Sequence, residues 1–130
     1  MRRHNRGFTL IELLIVVVII GLLATIAIPS FANSKERAYV SRMKEDLRRL
    51  ATAQEAYIAD NAAYYNGAVP NPALMFDPSP GVTITIVNVS PGGWGATAAL
   101  PGVTSQTCAI FQGTGGPIGP ATAEGVVACN

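Results

Sequence analysis

An α+β fold is predicted for this chain of 130 residues: a long N-terminal helix packed on a four-stranded antiparallel β-sheet. Three observations predict it. Residues 8–28 are one apolar run interrupted by a single charge, Glu12. Residues 30–66 then place apolar side chains at spacings of three and four among many charged ones, the period of a helix with one buried face. Beyond residue 81, four short runs with strand character are separated by turns rich in glycine and proline.

The apolar run, FTLIELLIVVVIIGLLATIAI, has 21 residues. At about 1.5 Å per residue it spans about 30 Å as a helix, the thickness of a bilayer's hydrocarbon core. Residues 8–29 therefore read as a membrane anchor. Before them stands MRRHNRG, with Arg2, Arg3 and Arg6 and no acid, so the positive-inside rule holds the N-terminus in the cytoplasm and sends the rest outward. A discarded signal peptide is the competing reading, supported only by the small residues Ala24 and Ala27. Signal h-regions run about 7–15 residues and avoid acid, whereas this run is longer and charged near its start. A carboxylate at the bilayer centre costs about 2.5–3.5 kcal/mol or more, so Glu12 requires a partner. Gly21 and Pro29 are the weak points of the helix, because glycine costs about 1 kcal/mol against alanine and proline removes a donor.

The stretch Gly7-Phe8-Thr9-Leu10-Ile11-Glu12, followed by the unbroken apolar helix, resembles the class III leader and prepilin peptidase site of type IV pilins and their relatives, the pilin and pseudopilin superfamily. The resemblance is to type IVa-like major pilins. It implies that residues 1–7 are a leader cut off by prepilin peptidase between Gly7 and Phe8, with N-methylation of Phe8. Gly7 offers the protease a position without a side chain. The same resemblance supplies a partner for Glu12: in a filament its carboxylate neutralises the N-terminal amine of a neighbouring subunit, so two unsatisfied charges disappear together. Phe8 and Glu12 are thereby the assembly residues. It also implies that the segment from Gly21 to Pro29 loses helical order in the filament, while a bent continuous helix suits the monomer.

The function so implied is that of a structural subunit of a type IV pilus supporting adhesion, motility or DNA uptake, single-pass in the inner membrane before assembly and on the cell surface after it. The implied partners are further copies in a helical filament, prepilin peptidase, the inner-membrane assembly machinery and the membrane. Two rivals remain. One is a pseudopilin of a type II secretion system, a group whose major members resemble the family without a C-terminal disulfide loop and carry a calcium site instead. The other is a single-span membrane-anchored binding protein that never polymerises.

Past Pro29, residues 30–66 form the amphipathic part, with Val40, Met43, Leu47, Leu50, Gln54, Tyr57 and Ile58 along one stripe. Lys35, Glu36, Arg37, Arg42, Lys44, Glu45, Asp46, Arg48 and Arg49 lie between them and read as a solvated face, or as a band meeting the charges of neighbouring subunits. Glu45 is spaced to meet Arg48 or Arg49. The helix is expected to fade over Asn61–Gly67, with Asn66-Gly67 as its stop. Residues 67–81 form a connector containing Pro70, Pro72, Pro78 and Pro80, pinned by Leu74, Met75 and Phe76. Residues 82–130 make the sheet head, with strands at Val82–Ile86, Trp94–Leu100, Thr107–Gln112 and Gly125–Cys129, in a meander with the helix across one face.

Cys108 and Cys129, both in the outward part, form the one possible intrachain bridge in an oxidising compartment, and a C-terminal disulfide loop also resembles the pilin family. A loop of about 20 residues closed this way stabilises by about 3 kcal/mol. The alternative is a pair of free buried thiols.

Composition argues against chemistry. Three of the nine basic residues and the single histidine, His4, lie in the leader, so the processed chain has six basic and eight acidic residues and no imidazole. General base, metal and nucleophile roles lose their usual carrier. No catalytic residue, metal site or cofactor is expected, since Asp60, Asp77 and Glu124 are far apart in sequence and there is no cysteine-rich metal spacing. From residue 50 onward there is no lysine or arginine, and the sum is −4, so the head is not expected to bind nucleic acid directly. Asn88-Val89-Ser90 is a formal glycosylation sequon followed by Pro91. Phe31, Tyr39, Tyr57, Tyr64 and Tyr65 read as packing and interface aromatics rather than as an electron path.

Overall fold

The computed structural model describes residues 7–130, so the expected leader, apart from Gly7, lies outside the described residues. The chain divides into two compact units, the first ending at Lys35 and the second running from Glu36 to Asn130.

Helix α1 comprises Leu10–Asn61, 52 residues. It continues through Gly21 and Pro29, the helical form expected of a single chain. Small hydroxyls bond back to the ladder near these two points: Thr25 Oγ1 donates to the Leu22 carbonyl at 2.7 Å and Ser34 Oγ to that of Ser30 at 3.0 Å. The helix stops before Asn66-Gly67. Ala62 takes a left-handed conformation (φ 54°), its N–H still bonding to the Ile58 carbonyl at 2.9 Å. Asn61 donates its side-chain amide to the Tyr57 carbonyl at 3.0 Å, satisfying one of the last-turn acceptors.

In the second unit the predicted stripe is the buried face: Met43, Leu47, Leu50 and Gln54 are fully buried. Gln54 belongs there because its amide is satisfied at both ends by one residue. Its Nε2 donates to the Tyr65 carbonyl at 3.0 Å, and its Oε1 accepts the Tyr65 N–H at 2.8 Å. That pair folds the chain back after the helix, and Tyr65 meets Tyr57 edge-on with ring centroids 5.4 Å apart.

Two sequence expectations are corrected here. Asp46 is not part of a solvated band but is buried beneath the connector. Its carboxylate accepts the Ser79 N–H at 2.9 Å and the Ser79 hydroxyl at 2.9 Å, and pairs with Arg49 at 3.2 Å, so the cost of burying it is offset by bonds to the charged form. Met75 does not pin the connector. A short 3₁₀ turn, Pro72–Leu74, capped by Asn71, buries Leu74 and, just beyond, Phe76, and turns Met75 out to solvent. Of the remaining band, Glu45 meets Arg48 at 3.8 Å, both exposed.

The sheet is an antiparallel meander in the order β1-β2-β3-β4, with β1 Thr83–Ser90, β2 Gly93–Ala99, β3 Thr107–Gly113 and β4 Ala128–Cys129. Its helix-facing side is built from Ile84, Trp94, Ala96, Ala98, Cys108 and Ile110, in one core with Met43, Leu47 and Leu50. Ala96 and Ala98 keep that side low, leaving room for the large helix residues. Phe111, Ala109 and Ala121 form a small second cluster on the other side.

Strand β1 is longer than predicted and β4 shorter. β1 reaches Ser90 through an irregularity after Val87, where Asn88 adopts φ 53° and donates its side-chain amide to the Gly115 carbonyl at 3.1 Å. The sequon's acceptor nitrogen is therefore engaged. In the expected fourth strand, Gly125 bonds to the Phe111 carbonyl, but Val126 turns back to Ala123, leaving only Ala128 and Cys129 paired with β3. The 113–115 loop lies so close to β2 that a Cβ on Gly115 would collide with the Trp94 carbonyl, and one on Gly93 with that of Gln112.

Candidate functional site

The start of α1 is a hydrogen-bonded cap. Thr9 precedes the first helical residue, and Glu12 is the third residue of the helix, a T-x-x-E capping box. The Thr9 N–H and hydroxyl both donate to Glu12 Oε2, at 2.9 and 2.7 Å, and the Glu12 N–H returns to Thr9 Oγ1 at 3.3 Å. Negative charge in the first turn also meets the positive end of the helix dipole. Glu12 thus has a first partner within its own chain. The capping role of Thr9 is legible in the sequence, as threonine three residues ahead of glutamate before an apolar run.

Phe8 stands beside this cap, 73% exposed. A side chain at Gly7 or Gly21 would meet no atom of the described residues within 4 Å, so crowding among them is not what calls for glycine at either place. The apolar side chains from Leu10 to Ile28 are exposed, and α1 is long and apolar enough to cross a membrane with none of its most apolar window buried. The buried core helix of a soluble protein would show the opposite. A continuous surface of this kind demands lipid or other apolar protein around it.

In the second unit, Cys108 and Cys129 face each other across β3 and β4 as register partners, Cα atoms 4.0 Å apart, joined as a disulfide. Among the described residues no three His, Cys, Asp or Glu side chains converge as metal ligands.

Residues 2–28 match the model of the prokaryotic N-terminal methylation motif. The chain is 52% identical over 61 residues to the type IV major pilin protein PilA of Myxococcus xanthus, a stretch covering 47% of this chain and 28% of that protein. It is 48% identical over 60 residues to the type IV major fimbrial protein FimA of Dichelobacter nodosus, 46% of this chain and 38% of that protein. The N-terminal part of the chain is thus similar to type IV pilins. A secretion protein is represented too, for the chain is also 43% identical over 63 residues to the type II secretion system core protein G of Pseudomonas aeruginosa, 48% of this chain and 44% of that protein. The matched stretches span less than half the length of each of these three relatives. The methylation motif ends at residue 28, where the apolar run ends.

Proposed function

We propose that the chain is a structural subunit of a type IV pilus, held in the inner membrane by residues 8–29 with its N-terminus cytoplasmic, cut by prepilin peptidase between Gly7 and Phe8, methylated at Phe8, and assembled with further copies by the pilus machinery. The observation that carries this reading is the capped Phe8-Thr9-Leu10-Ile11-Glu12 start on a helix whose apolar surface is exposed, without cover among the described residues. Packing such helices together in a filament core replaces lipid contacts with protein contacts. The cap engages Glu12 Oε2, and Oε1 makes no hydrogen bond among the described residues. That second oxygen is the one to receive the methylated amine of a neighbouring subunit. The role is mechanical: the processed chain would have no histidine, and its head is anionic. Adhesion, motility and DNA uptake are the uses such a filament serves.

Intact mass spectrometry of filaments sheared from the cell surface tests this. The expected species is the 123-residue chain (130 − 7) starting at methylated Phe8 and lacking two hydrogens for the Cys108–Cys129 bridge. A chain cut after Ala27, or uncut, overturns the reading. The type II secretion pseudopilin reading is supported by the likeness to core protein G, and it predicts the same processed chain confined to the membrane fraction. Glu12→Ala separates both from a solitary anchored binding protein, since it abolishes assembly in the first two and leaves the third undisturbed.

A further inference from the structure

The second unit carries its charges in two blocks. From Glu36 to Arg49 there are five bases, Arg37, Arg42, Lys44, Arg48 and Arg49, against three acids, Glu36, Glu45 and Asp46, a net of +2; from residue 50 to the end there are four acids and no base, a net of −4. Asp46 and Arg49 neutralise each other within the chain, and Arg48 is engaged by Glu45. Arg37 and Lys44 form no ion pair among the described residues, and, two helical turns apart, they lie along one side of α1. Among the four acids, Glu124 is taken up by the Gly113 N–H at 2.6 Å. Asp60 and Asp77 are exposed, and their carboxylates accept no hydrogen bond among the described residues.

These two free carboxylates flank Met75. Its side chain is 92% exposed, and its backbone is left-handed (φ 52°, ψ 37°), a conformation unfavourable to any residue with a Cβ, closed by its N–H on the Pro72 carbonyl at 3.1 Å. A groove of about 430 Å³ lined by Ala53, Ala56, Tyr57, Met75, Asp60 and Arg49 adjoins it, as does a second of about 540 Å³ lined by Pro70, Pro72, Met75, Asp77 and the same Arg49, whose charge is paired with Asp46.

We propose that this surface receives the Arg37 and Lys44 side of α1 from a second copy of the chain. The aliphatic stems of the two basic residues lie along Met75 and the alanine-lined groove, and their charged ends meet Asp60 and Asp77. Donor and receiver are different parts of the molecule, so the contact is heterologous and repeats from copy to copy instead of closing on itself. The inference rests on the filament reading and names the head-to-head contact within it. A polyanionic occupant, nucleic acid or an anionic bilayer, fits less well, because this unit sums to −2 and Asp60 and Asp77 repel it.

The test uses the full chain in cells that assemble it, with the charge reversals Arg37→Glu/Lys44→Glu and Asp60→Lys/Asp77→Lys, the two combined, and Met75→Gly. Each reversed pair lowers the yield of sheared filaments by about tenfold, and the combination restores most of it. Met75→Gly relieves the left-handed backbone, so it leaves the melting temperature at or above that of the original chain while lowering the yield. Carbodiimide treatment of filaments grown from mixed ¹⁴N and ¹⁵N copies joins Lys44 of one copy to Asp60 or Asp77 of another. Unchanged yield in the reversed pairs, a combination no better than either pair alone, or Lys44 linked only to Glu55 or Glu124 overturns the proposal. Reversals that spare filaments but abolish binding to anionic vesicles or DNA overturn it too, in favour of that partner. Failure of the unaltered chain to form filaments counts against the filament reading, and the same cross-link, sought in the membrane fraction, then decides the docking by itself.

Discussion

Leu14 and Leu47 sit on one helix and are chemically identical, yet the first is 57% exposed and the second fully buried. The two stretches around them differ in what the remaining chain can offer. Between Glu36 and Asn61 the sheet returns to cover α1, and Met43, Leu47, Leu50 and Gln54 become core. Before Lys35 the same kind of side chain is exposed among the described residues and is left for another phase or another molecule. Burial is therefore decided by the partner and not by the residue. A helix can carry the folding of one unit at one end and the demand for an external environment at the other.

The sharpest way to break this contrast is to truncate both leucines. Leu47→Ala should destabilise the head by about 2–5 kcal/mol, and Leu14→Ala should leave it within about 0.5 kcal/mol. Urea unfolding of the full chain in detergent micelles, followed by the fluorescence of buried Trp94, measures both. Equal effects would refute the division into a self-sufficient and a dependent part.

Replacing Cys108 and Cys129 together by serine should cost about 3 kcal/mol, since the bridge closes a separation of 21 residues. Helix content in the first unit should stay the same by circular dichroism. Next comes Asp46→Ala, expected at about 1.5–3 kcal/mol because it strands the Ser79 N–H and hydroxyl together with Arg49. Asp46→Asn should cost less, as its amide oxygen can still accept from Ser79. Thr9→Ala acts on the other region. It should loosen the first helical turn by about 1 kcal/mol, seen as faster amide exchange at Leu10–Leu13, while the head melts as before.

The smallest effect concerns pH. Burial first, and then the charges of Glu55 and Glu124, hold the Tyr64 phenol above its ordinary value of about 10. The folded head therefore keeps that proton more tightly than the unfolded chain. The resulting stability is present below the unfolded value and is lost as pH rises through the folded one. Tyr64→Phe should flatten that part of the alkaline unfolding curve.

Much of this was legible before any coordinates. Val82, Ile84 and Ile86 alternate with threonine, and the structure buries the first two while exposing Thr83 and Thr85. The stripe through Met43, Leu47, Leu50 and Gln54 was readable because a period of 3.6 leaves little choice of face. Asp46 was not, although it lies on the margin of that stripe. Its burial depends on Ser79, 33 residues away, presenting two donors to its carboxylate. Met75 sits between two buried neighbours, so its place in the sequence predicts burial with them, yet a left-handed turn reverses its direction. At the N-terminus the same residues carry both the motif that implies processing and assembly and the T-x-x-E capping box.

The sequence alone determined the order and type of the elements, the long apolar run, the charge asymmetry of the head and the single possible disulfide. These follow from periodicity, composition and counting, which need no knowledge of distant neighbours. The tertiary structure alone decided which charges are buried, where the fourth strand dies out, and which side chains are left exposed among the described residues. Those outcomes depend on donors, acceptors and covering surface that arrive from far along the chain or do not arrive at all.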